Sequence, residues 1–213
     1  GYLEILGATG EDTPLARQLH AGLDRYPGLH LIAFAVADAE AHHEALPERG
    51  FEVQEMVRLR RSVPTDEGEE TARFDVVRPL AGTMPEGRIQ MLTHHTPELV
   101  WQPRYRDHAN GALALSSVLV AVDDVAEAAA RFARFLGRGS PSGGERGEVA
   151  LDRGRLAFVE PGRLGAKLAG VAAPSVPYIA AMSLETAGLE ATKRYFDGRD
   201  IPWEPLDGGR IRV

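Results

Sequence analysis

The sequence contains no cysteine, so disulfides and thiolate chemistry are excluded, although the compartment is not fixed by that alone. Lysine is nearly missing as well. Lys167 and Lys193 are the only two, and arginine carries almost all the positive charge. No basic stripe exists; the net charge is −7 and the charges are dispersed, which argues against nucleic acid as a partner. No run approaches the roughly 20 apolar residues of a membrane span, and no signal-peptide pattern is visible, so a cytoplasmic location is expected. No serine sits in a nucleophile elbow, and no phosphate-cradling glycine loop leads from a strand into a helix.

What is present is a repeat. The chain has 213 residues, 44% of them hydrophobic, enough to bury a full core. Three stretches share one plan: 31–51, 117–139 and 179–201. Each has an apolar strand run, a short polar residue placed to cap a helix, a helix, and a glycine. The expected caps are Asp38, Asp124 and Thr186, and the closing glycines are Gly50, Gly137 and Gly198. Cap-to-glycine spacing is 12 positions in the first and last copies and 13 in the middle one. A side-chain oxygen at the cap satisfies orphan amides, and glycine takes the left-handed conformation past the end. Agreement among three loops predicts an internal repeat.

In chain order, Tyr2 to Leu6 alternates as a half-buried strand. A helix follows from Thr13-Pro14, with Leu15, Leu19 and Leu23 on one face. The first full repeat strand and helix come next. Three further strands are expected: in 51–63, in 72–77 after the TDEGEE turn, and in 88–92. The unit is therefore βαβββ. Residues 94–111, with two prolines and little periodicity, read as an ordered linker and a domain boundary, giving domains 1–110 and 111–213. The third unit has a strand, a helix docked through Val125, Ala129, Phe132 and Leu136, a hairpin turn at SGGERG, and two strands. A fourth, incomplete unit closes the chain. The opening GYLEILG is expected to be the last strand of a first unit whose earlier part lies outside the chain.

Repeated βαβββ units used in pairs resemble the vicinal oxygen chelate superfamily, the fold of glyoxalase I, bleomycin-resistance proteins and extradiol ring-cleaving dioxygenases. Within it the chain is most similar to four-unit glyoxalase-like domain proteins. The resemblance rests on YLEILG, FAVADAEAHHEALPERGF, RIQMLTHHTPELVW, HANGALALSSVLVAVDDVAEAAARFARFLG and IAAMSLETAGLEATKRYF. It implies an α+β fold, with paired units forming curved mixed sheets and helices outside. It also implies a metal held by a first-strand histidine and a last-strand glutamate, acting as a Lewis acid on vicinal oxygens. The matching last-strand positions are Glu4, Gln90 and Ala157; the first-strand positions are Leu31, Ser117 and Ile179. Only Glu4 is a good ligand. A divalent site needs three or four donors, so no tightly bound transition metal is expected of this polypeptide as it stands. In the intact protein a divalent metal at Glu4 stays open, and the alternative for Glu4 is pairing with Arg73 or Arg88.

The expected ligand-facing residues are Tyr2, Glu4, Leu31, Ala33, Arg73, Asp75, Gln90 and Ser117, with Glu4 and Gln90 pointing into one concavity. Of His94 and His95, adjacent on an extended chain, at most one can reach it. The mixture suits a small, partly apolar molecule held by a few polar groups. Three classes stay open: a metal-free binding protein, a metal-dependent lyase, isomerase or ring-cleaving dioxygenase, and a non-catalytic structural member. The ligand positions lost at Leu31, Ser117 and Ile179 favour the first. The expected partner is a small molecule, with neither nucleic acid nor membrane, and a homodimer stays open.

Overall fold

Short apolar runs and side-chain caps set the elements one by one. The structure, a computed structural model, describes residues 2–7, 10, 12–139 and 147–213. Helix α1 (Pro14–Arg25) starts where Thr13 Oγ1 accepts the Ala16 N–H at 3.1 Å. Strand β1 (Leu31–Ala35) leads to Asp38, whose carboxylate accepts the Ala41 N–H at 2.9 Å and opens α2 (Ala39–Ala45). Strands β2 (Val57–Thr65), β3 (Gly68–Val77) and β4 (Arg88–His94) complete the unit. The linker holds a short helix α3 (Pro97–Val100). Strand β5 (Ala112–Ala121) is followed by α4 (Val125–Phe135), capped by Asp124 accepting the Glu127 N–H at 2.9 Å. Then come β6 (Glu148–Ala150), β7 (Arg155–Val159), α5 (Pro161–Lys167), β8 (Tyr178–Thr186), α6 (Leu189–Asp197), β9 (Glu204–Leu206) and β10 (Arg210–Arg212).

The first sheet has the order β1-β4-β3-β2, with β1 parallel to β4 and the other pairs antiparallel. The second has the order β6-β7-β5-β8, with β5 parallel to β7 and antiparallel to β8. Strands β1 and β5 are therefore equivalent: each opens a unit, crosses over through a helix, and lies parallel to that unit's last strand. The equivalence extends to backbone detail. Gly87, just before β4, brings its Cα so close to the His30 carbonyl that a Cβ would sit 2.6 Å from that oxygen. Gly154, just before β7, crowds the Ser116 carbonyl in the same way at a φ of +82°. Only glycine permits both approaches.

Two sequence expectations for the last unit are corrected. Thr186 does not cap α6; it ends β8, and its hydroxyl meets the Thr192 hydroxyl at 2.5 Å, while Gly188 occupies the cap without a side-chain bond. Gly198 is right-handed, at φ −69°, and the left-handed turn falls instead on Asp200 at φ 54°. An aspartate tolerates that conformation through local hydrogen bonding. Gly50 and Gly137 do take positive φ. Residues 2–7 form no strand, because no ladder partner lies beside them among the described residues. The SGGERG turn lies, Gly147 apart, outside the described residues.

The helix-covered faces of the two sheets meet in one core. Ile32, Phe34, Ile89 and Met91 from the first sheet share a cluster with Val120, Leu156 and Phe158 from the second, with Leu46, just past α2, and Phe132 and Phe135 of α4 among them. Phe132 stands 6.3 Å from Phe34 and 5.2 Å from Phe158, and Phe135 stands 5.3 Å from Phe51. Helix α4 thus buries a wider face than a four-residue stripe: Ala128, Ala133 and Phe135 join the expected Ala129, Phe132 and Leu136. A helix between two sheets is covered on two sides. One buried ionic contact ties α4 to the loop before β4. Arg131 of α4 donates to Glu86 at 2.6 and 3.0 Å and to Glu127 at 2.8 and 3.1 Å. Glu86 is 1% exposed. Burial works against the Arg131 charge, but the hydrogen bonds to the two carboxylates outweigh it and raise its pKa.

Candidate functional site

Strand β4 alternates between the shared core and an open face. Ile89 and Met91 enter the core, which leaves Arg88, Gln90, Leu92 and His94 on the other side. The parallel register sets Leu31 beside Arg88, Ala33 beside Gln90 and Ala35 beside Leu92. Strand β3 contributes Phe74 and Val76 to this face, where they pack with Leu92 and with Leu99 and Val100 of α3. The linker therefore folds back over the β3 end and leaves the β1–β4 end open.

At the open end Arg78, the residue after β3, donates from Nε to Gln90 Oε1 at 3.1 Å. Gln90 is buried; Arg78 and Arg88 are half-buried. Burial lowers the pKa of Arg78, and the nearby charge of Arg88 lowers it further. Burial also lowers that of Arg88, and the charge of Glu4 opposes the shift. Tyr2 is pushed up by burial and by Glu4. Glu4 therefore lies within electrostatic reach of both Arg88 and Tyr2. Tyr2 lies 6.0 Å, ring to ring, from His94 and 6.1 Å from Trp101. His94 also packs 4.5 Å from Trp101 and 5.2 Å from Phe74, and burial lowers its pKa. Its Nε2 is buried without a hydrogen-bond partner among the described residues.

The structure sets Leu31 and Ala33 beside Arg88 and Gln90, with Glu4 within electrostatic reach of Arg88 and Tyr2 at the His94 end. Glu4 itself is exposed. Arg73 and Asp75, expected on this face, lie on the opposite one. The antiparallel register pairs Val76 with Leu92 and Asp75 with Thr93, so Phe74 and Val76 take the open face. A shift of one residue in assigning a strand's inner face moves every side chain across the sheet. Asp75 instead accepts from His95 Nε2 at 2.9 Å and lies 4.0 Å from Arg58. Ser117 lies in the second sheet, beside Arg155 and Ser183, apart from the Gln90 group. Sequence reading missed Arg78. Its signal is period two, counted on from Phe74 and Val76, but this needs the β3–β4 register first.

The glyoxalase-like domain family matches residues 1–136, from the opening segment through α4. The chain belongs to this family. No curated protein matches it. As a glyoxalase-like chain it carries the paired-unit architecture of the vicinal oxygen chelate superfamily, and the family's metal positions can be tested against its side chains. They do not fit a divalent ion. Among the described residues no three of histidine, aspartate and glutamate stand together as a ligand set. Gln90 Oε1 already accepts from Arg78, and Arg88 adds a second positive charge beside it. A cation at Gln90 would meet two guanidinium groups and an exposed carboxylate.

Proposed function

We propose that this glyoxalase-like chain binds a small, partly apolar molecule against the Gln90 face of the first sheet, without the family's metal chemistry. One observation carries the reading. Arg78, Gln90 and Arg88 stand as a polar group at one end of a face whose neighbouring positions are Leu31 and Ala33. A few placed polar groups beside apolar wall are what a small-molecule site requires. The polar group orients the ligand, and Leu31 and Ala33 cover its apolar part.

The test is a nuclear magnetic resonance screen of the whole chain against small aromatic and aliphatic amides, alcohols and acids. Binding compounds are expected to move the Gln90 side-chain amide and the Leu31 methyl signals, and Leu31→Ala is expected to weaken them. Binders that move only signals elsewhere would overturn the assignment. Zinc or iron bound in stoichiometric amount and lost in Glu4→Ala would favour the metal-dependent reading instead.

A further inference from the structure

Resting on that reading, we infer that the molecule bound at the Gln90 face carries a carboxylate, received between Arg78 and Arg88 with the Gln90 amide beside it. Three observations support this. Arg78 and Arg88 are half-buried, and neither has a carboxylate at ion-pair distance among the described residues. Two other arginines are paired instead: Arg131 has Glu86 and Glu127, and Arg155 has Glu148 at 3.3 Å. Two cations held close with water partly withdrawn are unfavourable until an anion stands between them.

The second observation is the orientation of Gln90. Its Oε1 accepts from Arg78, and its amide N–H groups donate to no partner among the described residues. Two guanidinium forks and the amide N–H groups of Gln90 are donors, and a planar carboxylate, which only accepts, matches them. The third is charge. Arg78 and Arg88 with Glu4 nearby leave one net positive charge, which a monoanion balances. Leu31 and Ala33 flank the group along β1, so an apolar body attached to the carboxylate lies against them. These features together favour a carboxylate on an apolar body over a polyanion.

The experiment uses phenylacetate and phenylacetamide, two probes of one shape that differ in charge, titrated into the whole chain. The arginine Nε–H and glutamine amide resonances report binding. Phenylacetate is expected to shift the Arg78, Arg88 and Gln90 signals to saturation, to weaken as salt is raised, and to bind at least about tenfold more tightly than phenylacetamide. Arg88→Gln is expected to lower phenylacetate affinity about tenfold and phenylacetamide affinity much less, with Arg88→Lys in between for phenylacetate. Because Arg88→Lys keeps the charge and most of the stem, it keeps the test informative if Arg88→Gln folds poorly. Equal affinity for the two probes at the Gln90 signals would overturn the carboxylate while leaving the site. The same holds for unchanged phenylacetate affinity in both Arg88 variants. Shifts from neither probe at Gln90 would overturn the inference and the site together.

Discussion

The open faces of the two sheets start from the same plan and end differently. In the first, Leu31, Ala33 and Ala35 of β1 lie beside Arg88, Gln90 and Leu92 of β4; in the second, Ser117, Leu119 and Ala121 of β5 lie beside Arg155, Ala157 and Val159 of β7. In each case the chain leaving the last strand folds back as a short helix. Helix α5 sits where Leu164 reaches Ala121 and Val159, and Leu168, Val171 and Ala173 extend the cover. Ala121 is fully buried as a result, whereas its counterpart Ala35 is exposed. Helix α3 lies instead over β3 and β2, through Leu99 and Val100, and leaves β1 uncovered. The arginines follow suit: Arg155 is paired with Glu148, while Arg88 feels the charge of Glu4 without an ion pair to it among the described residues. One scaffold thus gives a filled face and an open polar one, depending on where the next segment lands. Function in such a fold is carried by the site rather than by the sheet.

The comparison can be broken hardest at what the two sheets share. Phe132 is fully buried between them, and Phe132→Ala is expected to cost about 3–5 kcal/mol in chemical denaturation. A loss below about 1 kcal/mol would show that the core is not common to both. Next comes Glu86→Ala, which leaves Arg131 buried with Glu127 alone and is expected to cost roughly 3 kcal/mol by the same measurement.

The difference between the faces sharpens through their covers. Leu164→Ala is expected to cost about 2–3 kcal/mol, since Leu164 is fully buried under α5, and half-buried Leu99→Ala only about 1 kcal/mol. Equal losses would mean that both faces are filled alike. The smallest effect is a pH dependence. The folded-state pKa of His94 lies below its ordinary value of 6.5, so the unfolded chain binds the proton first. Its contribution is complete above pH 6.5 and is lost as pH falls through the folded value. Burial lowers His42 in the same direction, with Arg49 adding to it. Thermal melts from neutral to mildly acid pH are expected to fall less steeply in His94→Phe, which keeps the ring packing on Trp101 and Phe74.

Local chemistry made much of this molecule legible. Asp38, Asp124 and Thr13 announce their helices because a cap needs only a side-chain oxygen and the next three amides. The strands of the repeat follow from apolar runs of the right length, and the matching order of strands, helices and glycines gave the family. Gln90 and its neighbours Leu31 and Ala33 were also readable, since they occupy corresponding positions in repeated strands.

What the sequence alone did not determine depends on groups far apart in the chain. The inner face of β3 turns on its register with β4, which is why Arg73 and Asp75 were expected where Phe74 and Val76 lie. Thr186 has a capping side chain, but tertiary contact takes its hydroxyl to Thr192. The pairing of Arg131 with Glu86 spans 45 positions, and that of Arg78 with Gln90 needs the sheet assembled first. Sequence determined the strands and helices of the repeat, because those choices are made within a few residues, whereas residues 2–7, expected as a strand, form none. Tertiary structure decided which charges would be left without partners, because a charge's partner is whatever the folded chain brings near it.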